Sequence, residues 1–419
     1  MKRRAFLSMA AATLALPGLA RAAAGAELLP RSGRRVVVVG GGFGGAIAAR
    51  YLRLADPFLE VVLVERERRP VACPFSNLVL AGSRDLADNA ISHEKLAAGH
   101  GILLLQEEAT AIDAGSRQVL TAKGALSYDR LIVAPGIAFR GEEIPGYGAE
   151  APQRMPHAWT AGEQTRLLRG QLEAMADGGT VVIAVPLAPF RAPAAPYERA
   201  CQIAWYLKAR KPRSKVLLLD ANPDVVSKGA LFRQAWSELY PGLVEYQPDT
   251  RVTGADAGAL TLETSGGKVK GAVVNLIPPQ RAGDLAQRAG LAGDDRRWCP
   301  VNQITFESLR LPGVHVIGDA CSAGAMPKSG FAAGSQARAA ALNVVALLQG
   351  KEPVSPVQLD VAYSFVNERE AMSAANVYRV VGGNTVAVPG AGGLSKTWSE
   401  LEGLHARSWF RNTLAEMSS

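Results

Sequence analysis

The sequence predicts an α/β fold with two Rossmann-like dinucleotide-binding-type domains followed by a C-terminal α+β domain. Three observations predict it. Arg34 to Glu65 contains a β-branched run RRVVVVG, a glycine cluster GGGFGG, a helical stretch AIAARYLRLA and a second run EVVLVE, which together spell one βαβ unit. Gly178 to Asp220 repeats the alternation, with GGTVVIAV, a helix ending in AWYLK and the strand SKVLLLD. A later strand, LPGVHVIGDA from Leu311 to Ala320, again ends at a glycine. The chain of 419 residues, 48% apolar and 20% charged, is long enough for two or three domains with buried cores.

The N-terminus reads differently. MKRRAFLSMAAATLALPGLARAAAG has a basic start, a stretch of small apolar residues and a cleavage site at Ala20-Arg21-Ala22. Arg3-Arg4 followed by Ala5-Phe6-Leu7 matches a twin-arginine export signal, so residues 1–22 are expected to be removed and the mature protein to be periplasmic. An ordinary secretory signal is the alternative. No later run reaches the ~18 consecutive apolar residues of a membrane span. The formal charge of +8 includes the signal arginines, and no Lys/Arg-rich run with interleaved aromatics points to nucleic acid. Cys73, Cys201, Cys299 and Cys321 form no CxxC or CxxCH, and the five histidines are scattered, so neither a metal site nor a haem of its own is expected. The spacing leaves open whether any of these cysteines pair.

Gly40, Gly42 and Gly45 fill the GxGxxG positions of the first βαβ unit. They serve a tight turn, close approach of backbone to pyrophosphate, and close packing of helix on strand. Glu65, at the end of the second strand, is placed to accept from a ribose hydroxyl. YDRLIVAPG, ending at Gly136, and VIGDA, with Gly318 and Asp319, resemble two further segments of flavoproteins with two dinucleotide domains. In those proteins the aspartate binds the ribityl chain of FAD, and the FAD domain is split around an insertion. A helix N-cap is the plain alternative for Asp319. The inserted stretch has the strand and the helix of a nucleotide fold, but Pro186 to Pro196 is a proline-rich loop without glycine. Proline has no N–H to offer a phosphate, so this domain is expected to have lost its nucleotide, against NAD(P)H-dependent reduction.

CPFSN, PHAWTAGEQT, PFR with PYERA, NLIPPQRAG, VIGDAC and MPKSGF together resemble the flavoprotein subunit of flavocytochrome c sulfide dehydrogenase, a glutathione-reductase-like relative of sulfide:quinone reductases. The resemblance runs from Arg34 to near the C-terminus. It implies an FAD domain at 33–148 and 272–349, an inserted domain without nucleotide at 149–271 and a C-terminal domain at 350–419. It also implies that Cys73 carries FAD as a thioether to the 8α-methyl group, where the residue alone would read as a small buried hydrophobe. Glu198 matches a candidate acid/base near the flavin, although a first-turn helix acid is as natural a reading. Lys328 and the helix after it would face the flavin pyrimidine, a solvated lysine being the alternative.

The chain departs from the family at two positions. Ala192 and Ala362 stand where relatives carry a redox-active cysteine pair, so the usual attack of sulfide on that disulfide has no partner here. Cys201, one helical turn beyond Glu198, and Cys321, after Asp319, are candidates for a relocated role and read more simply as structural. The resulting expectation is an exported FAD oxidoreductase that takes electrons from a small reduced sulfur species and passes them to a c-type cytochrome. A quinone reductase, an FAD enzyme for another substrate and a non-catalytic electron-transfer flavoprotein are the alternatives. The tail scatters Leu401, Leu404, Trp409, Phe410 and Leu414 around its helix instead of forming the stripe a membrane surface requires.

Overall fold

The computed structural model describes residues 26–419; the predicted export signal lies outside the described residues. β1 (Arg35–Val39) is a run of valines with every residue buried, as befits a strand covered on both faces. It turns through the glycine cluster into α1 (Phe43–Ala55) and returns as β2 (Glu60–Val64). Two short helices follow, α2 (Ser76–Ala81) and α3 (His93–His100), then β3 (Leu103–Leu105) and β4 (Arg130–Val133).

The next unit contains β5 (Thr180–Val185), α4 (Ala195–Arg210), β6 (Lys215–Asp220), α5 (Gly229–Leu239), β7 (Val244–Gln247) and β8 (Val273–Leu276). The chain then supplies β9 (Val314–Val316) and the long α6 (Gly330–Leu348). It ends with β10 (Val357–Phe365), β11 (Ala371–Val381), β12 (Asn384–Leu394) and α7 (Glu400–Ser418).

These strands form the three sheets that position the site, among seven in the described residues. The first is parallel throughout, in the order β9-β4-β1-β2-β3, so a strand near residue 315 completes a sheet begun near residue 35. The second, β7-β6-β5-β8, is also parallel, and the third, β10-β11-β12, is an antiparallel meander. α1 and α6 lie against each other because α6 presents glycines where α1 presents bulk. A Cβ on Gly330 would stand 3.1 Å from the Phe43 ring, and one on Gly334 would stand 3.0 Å from Ile47 Cδ1. α6 is long and apolar enough to cross a membrane, with a mean hydropathy of 1.2, yet 61% of it is buried inside the fold. Its apolar character is therefore accounted for by the core.

Candidate flavin and substrate site

The glycine loop is built as its spacing requires. Gly40 has φ +94, and a Cβ on Gly45 would lie 1.7 Å from the Gly40 carbonyl oxygen, so the turn closes only with glycine at position 45. Gly42 faces open space, leaving the loop backbone approachable. Glu65 Oε2 accepts from the Gly41 amide at 2.6 Å and Oε1 from the Glu67 amide at 2.8 Å. In this structure Glu65 thus braces the loop from the end of β2. His93, which sequence reasoning missed, braces it from the other side, with Nε2 2.7 Å from the Gly41 carbonyl.

Gly318, with φ +74, donates its amide to Gln336 Oε1 of α6 at 2.8 Å and so aims Asp319 inward. Asp319 Oδ1 is buried with no hydrogen-bond partner, and Oδ2 faces Arg191 Nη1 at 3.9 Å. Burial raises the Asp319 carboxyl, partly offset by Arg191 and Lys328. An orphaned buried acceptor at the end of β9 is the group a ribityl hydroxyl would satisfy. The open glycine cradle and this unpaired oxygen fit an FAD running from α1 toward β9. Gly136, φ +63, accepts the Gly283 amide at 3.0 Å and turns the chain after β4 on the same side of the sheet.

Lys328 is partly buried and held by protein acceptors, not solvated. Its ammonium donates to the carbonyls of Asp319 (2.9 Å) and Cys321 (2.8 Å) and lies 3.8 Å over the Trp298 ring. These acceptors draw it away from the cavity that Pro327 and Ser329 line, so it acts on the site through the Asp319 turn.

That cavity, of about 350 Å³, brings together Cys73, Arg191, Ala192, Glu198, Ala362 and Trp409, residues spread over more than three hundred positions. Cys73 is half-buried, with Sγ 4.0 Å from the Trp159 carbonyl, and begins a turn that Phe75 completes at φ 69 before α2. Glu198, in the first turn of α4, accepts from the Phe365 amide at 2.8 Å and from Asn77 Nδ2 at 2.9 Å. Burial nevertheless keeps its carboxyl above the usual range. A carboxyl shifted in this direction is a candidate proton donor.

The node that assembles these segments is Arg199, also missed from sequence. Its guanidinium donates to Asn77 Oδ1 (3.0 Å), the His157 carbonyl (2.9 Å), Asn275 Oδ1 (2.8 Å) and the Ala158 carbonyl (2.7 Å). It also lies over the Trp159 ring. One side chain therefore ties together CPFSN, PHAW, PYERA and VNLIPP, and burial lowers it to about 9. A buried charge fully hydrogen-bonded in this way fixes geometry more than it stabilises.

None of the other three cysteines lines the cavity. Cys201 is fully buried in the core of the middle unit although it follows Glu198 by one turn, and burial raises its thiol. Cys299 and Cys321 are buried beside each other in parallel register, each pushed up to about 12. The structure gives no support to a relocated sulfur relay facing the cavity.

In the middle unit Asp220 ends β6, where a dinucleotide domain keeps its ribose acceptor. Here Oδ2 accepts from the hydroxyls of Tyr197 (2.7 Å) and Tyr246 (3.1 Å), and Oδ1 from Asn222 N (3.0 Å) and Nδ2 (2.7 Å). Its acceptor capacity is taken up within the protein.

Fold and site together define a flavoprotein oxidoreductase of the two-dinucleotide-domain class. Residues 165–278 match the model of the central region of the sulfide dehydrogenase [flavocytochrome c] flavoprotein chain, and residues 355–417 that of the flavocytochrome c sulphide dehydrogenase flavin-binding region. The flavoprotein chain of Chlorobaculum thiosulfatiphilum is 63% identical over 46 residues, 11% of this chain and 96% of that sequence. The chain belongs to the family of flavocytochrome c sulfide dehydrogenase flavoproteins. More distantly, an NADH dehydrogenase-like protein of Mycobacterium tuberculosis is 28% identical over 308 residues, covering 69% of this chain and 73% of its own. The solved sulfide:quinone oxidoreductase from Aquifex aeolicus shares the fold, with a TM-score of 0.75 at 19% identity over 92% of this chain and 91% of that one.

Proposed function

We propose that this chain is an exported FAD oxidoreductase that oxidises sulfide or a related small reduced sulfur species and delivers the electrons to a c-type cytochrome, with FAD held through Cys73. The observation that carries the reading is the shared cavity of Cys73, Glu198 and the two alanines, whose wall residue Arg191 also faces Asp319. Bound there, FAD would supply two-electron acceptance from the substrate and one-electron release to a haem. Gly40, Gly42, Gly45, Gly136 and Asp319 would hold it, and Cys73 would prevent its loss outside the cytoplasm.

The chain's own groups do the rest. Glu198 would hold and move a proton at the cavity wall, its carboxyl fixed by the hydrogen bonds from Asn77 and Phe365. Arg199 locks the walls, and the aromatic side chains of Trp159, Phe331 and Trp409 exclude water. Ala192 and Ala362 bring methyl groups where a disulfide would receive sulfide, so a sulfur nucleophile has to approach the cofactor without a protein sulfur in between.

Those methyl groups favour a second reading, an FAD oxidoreductase for a different small substrate. The sequestered Asp220 speaks against NADH as that substrate, despite the NADH dehydrogenase-like relatives. Sulfide-dependent cytochrome c reduction tests turnover, and its absence with every small reductant tried would leave an accessory electron-transfer protein. For the cofactor link, yellow colour should stay with acid-precipitated protein, and Cys73→Ala should release it while still binding FAD. Release of flavin from the unaltered protein would refute the link.

A further inference from the structure

Lys228 is a cation that the site as described does not use. At the start of α5, with φ 57 and 5% exposed, it sends its ammonium out of the middle unit to the Ala362 carbonyl of β10, 2.8 Å away. β10 is also the strand on which Glu198 rests, through the Phe365 amide three residues further on. The same strand carries Asp360, 2% exposed and bonded by the hydroxyl of Ser329, the N-cap of α6. Glu198 and Asp360 both act electrostatically on Lys228. The remaining cation beside Glu198 is Arg199, whose donors are already committed to Asn77, Asn275 and two carbonyls.

We propose that Lys228 is a positioning residue for proton transfer at this cavity: its charge, anchored to the β10 wall in the field of Glu198 and Asp360, lets Glu198 give up and regain its proton. The inference rests on Glu198 being the acid–base group and adds the residue that makes both halves of that role workable. A carboxyl walled by Ala192, Ala362, Trp159 and Phe365 has its charged form disfavoured. A nearby cation offsets that penalty and eases ionisation. Lys228 supplies such a cation from across the domain junction, in addition to Arg199, and the Ala362 carbonyl fixes its place. Burial lowers Lys228 itself to about 8, with Glu198 and then Asp360 drawing it back up. The ammonium therefore persists through neutral pH, and its charge stays beside Glu198 whichever form the carboxyl takes.

Infrared spectroscopy on the full chain, as purified with its flavin, tests this directly. The carboxylic-acid stretch that Glu198→Gln abolishes belongs to Glu198, and its pH midpoint is the readout. Lys228→Gln, which keeps a donor for the Ala362 carbonyl without the charge, should raise that midpoint by about one pH unit or more. Lys228→Arg should hold it within a few tenths. If Lys228→Gln does not fold, Lys228→Met serves with the same expected rise. A midpoint that stays put when the charge is removed, or that Lys228→Arg moves as far as Lys228→Gln does, overturns the role of the charge. A pH profile of turnover that Glu198→Gln leaves unchanged overturns the acid–base reading instead, and the infrared midpoints still report separately on the pair.

Discussion

Arg199 and His315 show how much one buried side chain commits. Arg199 joins residues 122, 76 and 42 positions away, and each of its bonds replaces water that the cavity wall excludes. His315, on β9, is fully buried and donates Nδ1–H to the Thr305 carbonyl at 2.8 Å, while Nε2 has no partner. Burial lowers it from 6.5 to about 4, so between these values the unfolded chain binds a proton that the folded chain refuses. Stability from this group is complete above pH 6.5 and lost as pH falls toward 4. Relative to His315→Asn, the parent should lose ~1.4 kcal/mol per pH unit across that window in chemical denaturation. Parallel pH dependences of the two proteins would show that His315 is not held neutral. None of this was legible in the string, where His315 sits in an ordinary valine strand. The glycines were legible, because a turn is a local requirement, whereas Cys73 alone reads as a small buried hydrophobe and takes its flavin role only from the family resemblance; Arg199 and Lys228 look like any helix-surface cation until the fold supplies acceptors.

Among the elements, the first βαβ unit is the most completely specified by its own residues. Gly45 has no freedom at all: a methyl group there would overlap the Gly40 carbonyl oxygen and force β1 and α1 apart. In a Cys73→Ala background, Gly45→Ala should lower FAD affinity by roughly tenfold or more, about 1.4 kcal/mol, as read by equilibrium dialysis. Unchanged affinity would place the pyrophosphate elsewhere. The corresponding turn between β5 and α4 lacks glycine, and Asp220 behind it is occupied by two tyrosine hydroxyls and Asn222. Mixing with NADH should therefore leave the flavin absorbance unchanged over seconds; rapid bleaching would mean that Tyr197 and Tyr246 give way to a ribose. The missing glycines of the proline loop were readable in the sequence, whereas the tyrosine lock was not, since it depends on α4 and β7 meeting at β6. Helix α6 carries the opposite lesson, its span-like composition being consumed by the glycine-to-phenylalanine fit with α1.

At the scale of the molecule, the cavity exists only because three distant chain segments meet. Ala192 comes from the loop after β5, Ala362 from β10 and Cys73 from the turn before α2. Replacing both alanines by cysteine should allow a disulfide if their Cα atoms lie within about 7 Å, and the double variant should then gain sulfide-dependent cytochrome c reduction over the parent. Fast sulfide turnover by the parent, unaffected by Cys201→Ala or Cys321→Ala, would show that this chemistry needs no protein sulfur. The amino-acid order alone settles what is local or nearly so: the βαβ turn, the loss of the second glycine loop, the family motifs and the missing sulfur pair. The meeting of Cys73, Glu198 and the two alanines at one cavity, the Arg199 node, the inward turn of Lys328 and the reach of Lys228 to β10 were decided by tertiary packing. Each depends on burial and on hydrogen-bond partners that become neighbours only after chain segments far apart in sequence exclude water together.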